Sequence, residues 1–267
     1  MGPLFEYQDE TLYCHHSLDH FPNPEEYSIH AHEIPEVYLF LSGEGHFLIE
    51  GTSYPLSPGD ILLMRPAETH KLVISPSIPY ERIAIHFSEQ LFDSLDPARS
   101  LLQVFYRHPL GQNNRYSALD YPGLSEPFLN LQSDKMEILA KLMLLLVGIG
   151  RLYRTNDSFG SDTLSRQLVF YVNEHIFEPL SLEQIGSVFS RSVSQISRVF
   201  RQATGSSLWE YIMIKRLLAS RAMLLRGETA VNAASACGFS DYSTFYRAYK
   251  KHFGHSPGSD RVSMKHT

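Results

Sequence analysis

Only two cysteines, Cys14 and Cys237, occur in 267 residues, and they stand in opposite halves of the chain. Such scarcity excludes a disulfide framework, and the lack of any CxxC or paired Cys/His spacing excludes a structural zinc module. Long apolar runs are missing too. The most apolar stretch, Leu142 to Ile149, falls far short of the ~20 residues that span a bilayer, so no membrane segment is expected. The acidic, polar N-terminal stretch does not read as a signal peptide. These absences together point to a cytoplasmic protein. Charge is sparse, 19% of residues against 43% apolar, which is ordinary for a soluble globular chain and excludes a disordered one.

Positive charge is also in deficit, with a net charge of −6, which speaks against nucleic acid until the chain is divided. Residues 162–267 hold 13 Lys/Arg against 8 Asp/Glu, a net +5, whereas residues 1–161 hold 10 against 21, a net −11. The length suits two domains. One half is suited to phosphate and the other would be repelled by it.

The texture changes along the chain. Residues 1–28 read as irregular or edge structure. From Ile29 to Phe87 short apolar runs recur at Val37–Leu41, Gly45–Ile49, Ile61–Met64, Lys71–Ile74 and Arg82–Phe87, divided by turn residues such as Glu50-Gly51 and Ser57-Pro58-Gly59-Asp60. Many short strands at this spacing predict a small barrel or jelly roll. A short helical piece is expected around Ala98–Tyr106. A long helix is expected over Ser133–Tyr153, capped by Ser133, with Met136, Leu139, Leu142, Met143, Leu146 and Ile149 on one stripe. That stripe either packs on the barrel or pairs with a second chain. Thr155 to Ser161 reads as a polar linker, and everything from Leu164 onward reads helical.

The helical part contains a repeat. Ser192 to Gly205 and Asp241 to Gly254 each have a capping residue, an apolar helical stripe, a basic residue at the same offset and a closing glycine; Arg198 matches Arg247 and Arg201 matches Lys250. On the first helix Val193, Ile196, Val199, Phe200 and Ala203 share the inward face, and Ser194, Gln195, Ser197, Arg198 and Arg201 face outward. On the second, Phe245, Ala248 and Tyr249 go inward and Ser243, Thr244, Tyr246, Arg247, Lys250 and Lys251 outward. Short polar side chains around an arginine let a helix enter a major groove and bond base edges, while terminal Lys and Arg reach phosphates. Either helix alone would read as a solvated basic face of an ordinary bundle; two with matching offsets predict a DNA reader.

Residues 164–261 resemble the DNA-binding domain of the AraC/XylS family of bacterial transcription regulators. The resemblance is carried by Leu180-Ser181-Leu182, Ser192 to Phe200, Gly205, Tyr211, Arg216, Gly238-Phe239-Ser240-Asp241, Phe245, Arg247, Lys250, Phe253-Gly254 and His255-Ser256-Pro257. It implies two helix-turn-helix units joined by a rigid helix, entering successive major grooves. Base contacts would fall to Ser194, Gln195, Ser197 and Arg198 in the first unit, and to Tyr242, Ser243, Thr244, Tyr246 and Arg247 in the second. The chain departs from the family pattern at Arg191, Ser220, Ala230, Ala233 and Asp260. The small Ala230 and Ala233 predict a thinner core in the second unit, with the first unit setting most of the specificity and the second acting more on phosphate and on the polymerase side.

The N-terminal half holds His30-Ala31-His32, Glu36 and Gly43, followed by Pro58-Gly59-Asp60 and Pro66 to His70. This resembles both motifs of the cupin superfamily. His30, His32 and Glu36 differ by even steps, so an unbroken strand would point them to one side, with His70 on a facing strand. Two His, a carboxylate and a third His suit Fe, Mn, Ni or Zn. Three readings compete: a catalytic metal site, a pocket sensing a small molecule with or without metal, and core histidines satisfied by hydrogen bonds. AraC-type regulators often carry such a barrel as a sensor, and the resemblance implies effector binding without turnover. Alternation adds Tyr38, Phe40 and Ser42 to the face of Glu36, Leu72 to that of His70, and Ala84 and His86 to that of Arg82. The aromatics Tyr38, Phe40, Phe47, Tyr54 and Tyr80 suit stacking on a sugar ring and equally an ordinary barrel core. By resemblance Arg82 is placed to bond a sugar hydroxyl; on its own it reads equally as a rim charge.

The expected fold is α+β and multidomain: a cupin-like β-barrel over 1–90, a helical dimerisation and linker region over 91–160, and an all-α double helix-turn-helix domain over 161–267. The expected function is an effector-responsive, sequence-specific transcription regulator, an activator of a metabolic and carbohydrate-type operon, and not an enzyme. Its partners would be double-stranded DNA, a small-molecule effector such as a sugar, RNA polymerase and a second copy of the chain. No cofactor is required on this reading, although a divalent metal on His30, His32, Glu36 and His70 is a candidate. The protein would work in the bacterial cytoplasm, at the nucleoid. The rival reading is a cupin metalloenzyme with an accessory helical domain.

Overall fold

The computed structural model describes residues 4–131, 134–152 and 163–261, and the chain divides into two compact units, Met1–Ser161 and Asp162–Thr267. The expected polar linker at Thr155 to Ser161 lies outside the described residues.

The first unit is built on nine strands among the described residues: β1 (Phe5–Gln8), β2 (Leu12–Asp19), β3 (Glu36–Ser42), β4 (Gly45–Ile49), β5 (Thr52–Pro55), β6 (Ile61–Met64), β7 (His70–Ile74), β8 (Tyr80–Phe87) and β9 (Arg115–Tyr116). They form a six-stranded sheet in the order β1-β2-β8-β3-β6-β9 and a three-stranded sheet in the order β5-β4-β7. Of the two readings of the N-terminal stretch, irregular or edge structure, the second holds for β1, the edge strand, while β2 pairs along its whole length with β8. The alternation in Leu12-Tyr13-Cys14-His15 was a strand signal, because Leu12 and Cys14 are buried on the opposite face from His15.

The central strands β3 and β6 of the larger sheet are covered on both faces, which is why β6 reads as an unbroken apolar run rather than an alternation. On the inner face, Tyr38, Phe40, Leu62, Met64 and Ala84 pack with Phe47, Ile49, Leu72 and Ile74 of the smaller sheet. On the outer face, Val37, Leu39, Ile61, Leu63, Ile83 and Ile85 join a second core with Phe92, Leu102, Val104, Phe105 and Phe128. A single turn, α1 (Gln103–Tyr106), stands where a longer helix from Ala98 was expected. The long helix α2 (Lys135–Arg151) is capped by Asp134, which accepts from the Glu137 amide, and not by Ser133, which lies outside the described residues. Its buried stripe is Ile138, Leu142, Leu145, Leu146 and Ile149, and it lies in the outer-face core. Met136 points outward, 69% exposed.

The second unit is helical: α3 (Leu164–Glu174), α4 (Leu182–Phe189), α5 (Val193–Thr204), α6 (Leu208–Leu225), α7 (Ala230–Ala236), α8 (Tyr242–Phe253) and α9 (Pro257–Asp260). Ser181 and Gln184 form a complete capping box on α4, and Ser192, Ser207, Thr229 and Asp241 cap the helices that follow them. The pairs α4–α5 and α7–α8 are the two helix-turn-helix units, with α6 between them. The turn between α4 and α5 leaves no room for a side chain at Gly186, where a Cβ would stand 2.7 Å from the Arg191 carbonyl oxygen.

Candidate effector cavity and nucleic-acid interface

Between the two sheets lies a cavity of about 170 Å³ lined by His15, Tyr27, His30, His32, Glu36, Tyr38, Phe47, His70, Leu72, Tyr80, Arg82, Ala84 and His86. Register explains the set. Paired residues in neighbouring strands project to the same face, and β8 sits between β2 and β3. Glu36 stands opposite His86, Tyr38 opposite Ala84 and Phe40 opposite Arg82 on one side of β8. On its other side Tyr13 meets His86 and His15 meets Ala84.

Of the residues expected in the pocket, His30, His32, Glu36, Tyr38, His70, Leu72, Arg82 and Ala84 all line it. Ser42 does not. A register shift between Phe40 and Ser42 breaks the alternation before it reaches Ser42. The unbroken strand assumed for His30 to Glu36 is also absent: His30 makes only an isolated bridge to His70, and β3 begins at Glu36. The residues converge anyway, because that bridge ties the His30 segment to β7. Sequence reading missed His15 and Tyr27 as wall residues; His86, expected beside Arg82 and Ala84, and the aromatics Phe47 and Tyr80 line the cavity, whereas Phe40 does not. Tyr27 lies in a non-strand segment that carries no periodic signal.

Chemically the cavity has two ends. At one end Glu36 Oε2 stands 3.2 Å from His32 Nε2 and 3.3 Å from His70 Nε2, while Glu36 Oε1 stands 3.9 Å from His86 Nε2. Burial would raise the Glu36 carboxyl, but His86, His32 and His70 hold it well below the usual range. Burial pushes His30 and His15 down to about 4, and His86 is lowered for the same reason. His70 is raised, since Glu36 outweighs its burial. The ring Nδ1 of His70 lies 2.9 Å from the Glu68 carbonyl, and that of His30 lies 2.8 Å from the Ser28 carbonyl. Those carbonyls leave Nε2 of each ring as the atom aimed inward. His70 Nε2 and Glu36 Oε2 are both buried and lack a hydrogen-bond partner of proper geometry. At the other end the Arg82 guanidinium lies over the Tyr80 ring, 4.8 Å from its centroid, and 5.8 Å from that of Tyr27. Tyr38 and Tyr80 join their hydroxyls beside it. Burial would lower the Arg82 pKa, but the facing tyrosines raise it, so the side chain stays charged.

The reader helices have the predicted polarity. On α5, Ile196, Phe200 and Ala203 are buried, Ser194, Arg198 and Arg201 are exposed, and Gln195 and Ser197 are half-buried. Val193, expected inward, is 37% exposed. On α8, Phe245 and Tyr249 are buried, Tyr242, Ser243, Tyr246, Arg247, Lys250 and Lys251 are exposed, and Thr244 is half-buried. The two helices have the same length and the same closure, at Gly205 and Gly254.

The thinner second core is not found. Phe245, Tyr249, Leu217 and Leu224 close around Ala233 and Ala234, with Phe239, Phe253, Met213 and Met223 at the edges. The alanines make room for aromatic rings instead of leaving a gap. Asp260 has a structural partner set: it takes the Tyr249 hydroxyl at 2.6 Å and the Arg221 guanidinium at 2.8 Å. Ser220, fully buried, donates to the Leu217 carbonyl. The Arg216 guanidinium donates to the carbonyls of Ile176, Glu178 and Gly238 at 2.6–2.7 Å, tying the segment after α3 to the turn between α7 and α8.

Comparison with known proteins agrees with both halves. Residues 19–146 match the AraC-like ligand binding domain, and residues 186–262 match a helix-turn-helix domain. The HTH-type transcriptional activator RhaS of Escherichia fergusonii is 23% identical over 91% of this chain and 94% of its own length. The Msm operon regulatory protein of Streptococcus mutans is 24% identical over 86% of this chain and 84% of its own. Among solved structures, ToxT from Vibrio cholerae O395 is similar over 94% of this chain and 97% of its own, at 13% identity and a TM-score of 0.38. Such relatives are regulators and not enzymes, and the metalloenzyme reading is not favoured. The chain thus belongs to the AraC family: a DNA-binding transcription regulator with an N-terminal ligand-binding domain.

Proposed function

We propose that this protein is an activator that binds DNA through α5 and α8 and responds to a small polyhydroxylated effector held in the cavity between the sheets. The carrying observation is the pair of equal, capped helices with outward Arg/Lys faces, held on one body by α6 and Arg216. Ser194, Gln195, Ser197 and Arg198 read bases in one major groove; Tyr242, Ser243, Thr244, Tyr246 and Arg247 read the next. Arg201, Lys250 and Lys251 bond phosphate. Since the second helix-turn-helix, α7–α8, has a full core, nothing in its packing supports a lesser share of specificity. Relatives designated transcriptional activators support activation, with RNA polymerase as the partner, and a two-fold pair of chains supplies two half-sites. The effector acts by its differential affinity for two arrangements of that pair. No helix among the described residues is long and apolar enough to cross a membrane, and the site of action is the cytoplasm, at the nucleoid.

The cavity volume and its aromatic, His- and Arg-lined wall support an effector the size of one sugar ring within a cupin-like barrel. The same wall fits a divalent metal. His30, His32 and His70 form one candidate ligand group, and His32, Glu36 and His86 another. The orphaned Nε2 of His70 and Oε2 of Glu36, with carbonyls fixing the outer nitrogens of His30 and His70, are what a bound cation would need. Such an ion would polarise effector oxygens. Elemental analysis of protein purified without chelator is expected to give close to one equivalent of metal, and less than about a tenth would remove it.

DNA reading is tested on fragments selected from genomic DNA. Arg198→Ala is expected to weaken the selected site about 10- to 100-fold, as for loss of one bidentate base contact, with little change on random DNA. Equal loss on both, with a shallower salt slope, would make Arg198 a phosphate contact.

A further inference from the structure

The acids around Arg82 are already engaged. Glu36, the one acid lining the cavity among the described residues, stands at the far end, 3.2 Å from His32 and 3.3 Å from His70. Glu81 pairs with His16 at 2.7 Å. Asp19 accepts the Tyr27 hydroxyl and the Phe21 amide, and acts on Arg82 only through space. Arg82 itself has no ion pair among the described residues, and its flat face is occupied by Tyr80. A guanidinium stacked in this way keeps its N–H edge free, and that edge matches a carboxylate bidentately.

Spacing adds a second constraint. Arg82, Ala84 and His86 follow each other on one face of β8, so the cationic and His/Glu ends are about 13 Å apart at the backbone, with side chains reaching inward. The middle position is an alanine, which leaves the floor open between them. A ligand filling this space has an anionic group at one end and hydroxyls at the other, and a volume of about 170 Å³ limits it to a single ring or a six-carbon chain.

We infer that the effector is a sugar-derived carboxylic acid, its carboxylate on Arg82 and its hydroxyls toward Glu36 and the histidines. This rests on the cavity being the effector site and adds the charge of the ligand to it. Calorimetry on the full chain with D-galacturonate and D-glucuronate, against D-galactose and D-glucose, tests it. At least one acid is expected to bind 100-fold or more tighter than its neutral parent. Arg82→Gln should remove that preference, and Arg82→Lys, which keeps the charge without the fork, should recover part of it. Melting curves without ligand show whether each variant is folded, and Ala84→Leu, which fills the floor, should abolish binding of acid and neutral sugar alike. Equal binding of acids and neutral sugars, or an unchanged preference in a folded Arg82→Gln, overturns the acid while leaving the cavity as the effector site. No binding of any of the four at 10 mM overturns the acid and the sugar-sized effector together.

Discussion

Arg216 shows how one side chain can serve a whole domain. It is buried, and its guanidinium is satisfied by three backbone carbonyls and, among the described residues, by no carboxylate. Burial accordingly lowers its pKa. Gly238 is the counterpart of that staple. It has φ +78°, and a Cβ there would strike the Phe177 carbonyl and stand 2.9 Å from the Arg216 guanidinium carbon. Gly254, with φ +80°, has nothing within 4 Å of the same added atom. Gly254→Ala should therefore cost only the left-handed backbone term, about 1 kcal/mol. Gly238→Ala adds a backbone clash and should cost about 3 kcal/mol or more. Urea denaturation of the two variants checks the difference; equal losses would mean that the Arg216 joint yields to the added methyl. Neither role could be read from sequence, where Arg216 and Gly238 were only positions shared with a family. A buried guanidinium becomes meaningful when the carbonyls it meets, about 20 to 40 positions away in the chain, are known.

At the scale of elements, periodicity was a good guide where a helix or strand has one covered face, and a poor one where it has two. The reader helices carry apolar stripes and outward basic faces as the repeat required, because capping and a 3.6-residue period are local properties. The helix α2 has an apolar residue at nearly every position of its middle, so its true stripe was ambiguous. Leu142 is fully buried in the outer-face core, whereas Leu144 is 66% exposed. Leu142→Ala should destabilise the first unit by about 2–5 kcal/mol, and Leu144→Ala by about 0.5 kcal/mol or less, both measured by chemical denaturation. If Leu144→Ala instead lowers stability in a concentration-dependent way, the exposed face of α2 pairs with a second chain. The strand β2 was not singled out for a different reason: Tyr13 and two adjacent histidines, His15 and His16, obscured the alternation of Leu12 and Cys14.

For the molecule as a whole, the division of charge, −11 before residue 162 and +5 after it, matches the division into two units at that point. The acidic unit carries the cavity and the basic unit the reader helices. The amino-acid order alone determined the repeat, the helix caps, the polarity of α5 and α8, and most of the cavity wall, because each depends on residues within a few positions of one another. Tertiary structure decided the rest. His15 reaches the cavity because β2 pairs with β8, some seventy residues further along, and Ser42 leaves it because a register shift interrupts β3. The aromatic filling around Ala233, and the lack of an ion pair on Arg82 among the described residues, likewise depend on which distant segments meet. Non-local pairing selects among faces that local pattern leaves equivalent, and the function of this chain rests on that selection.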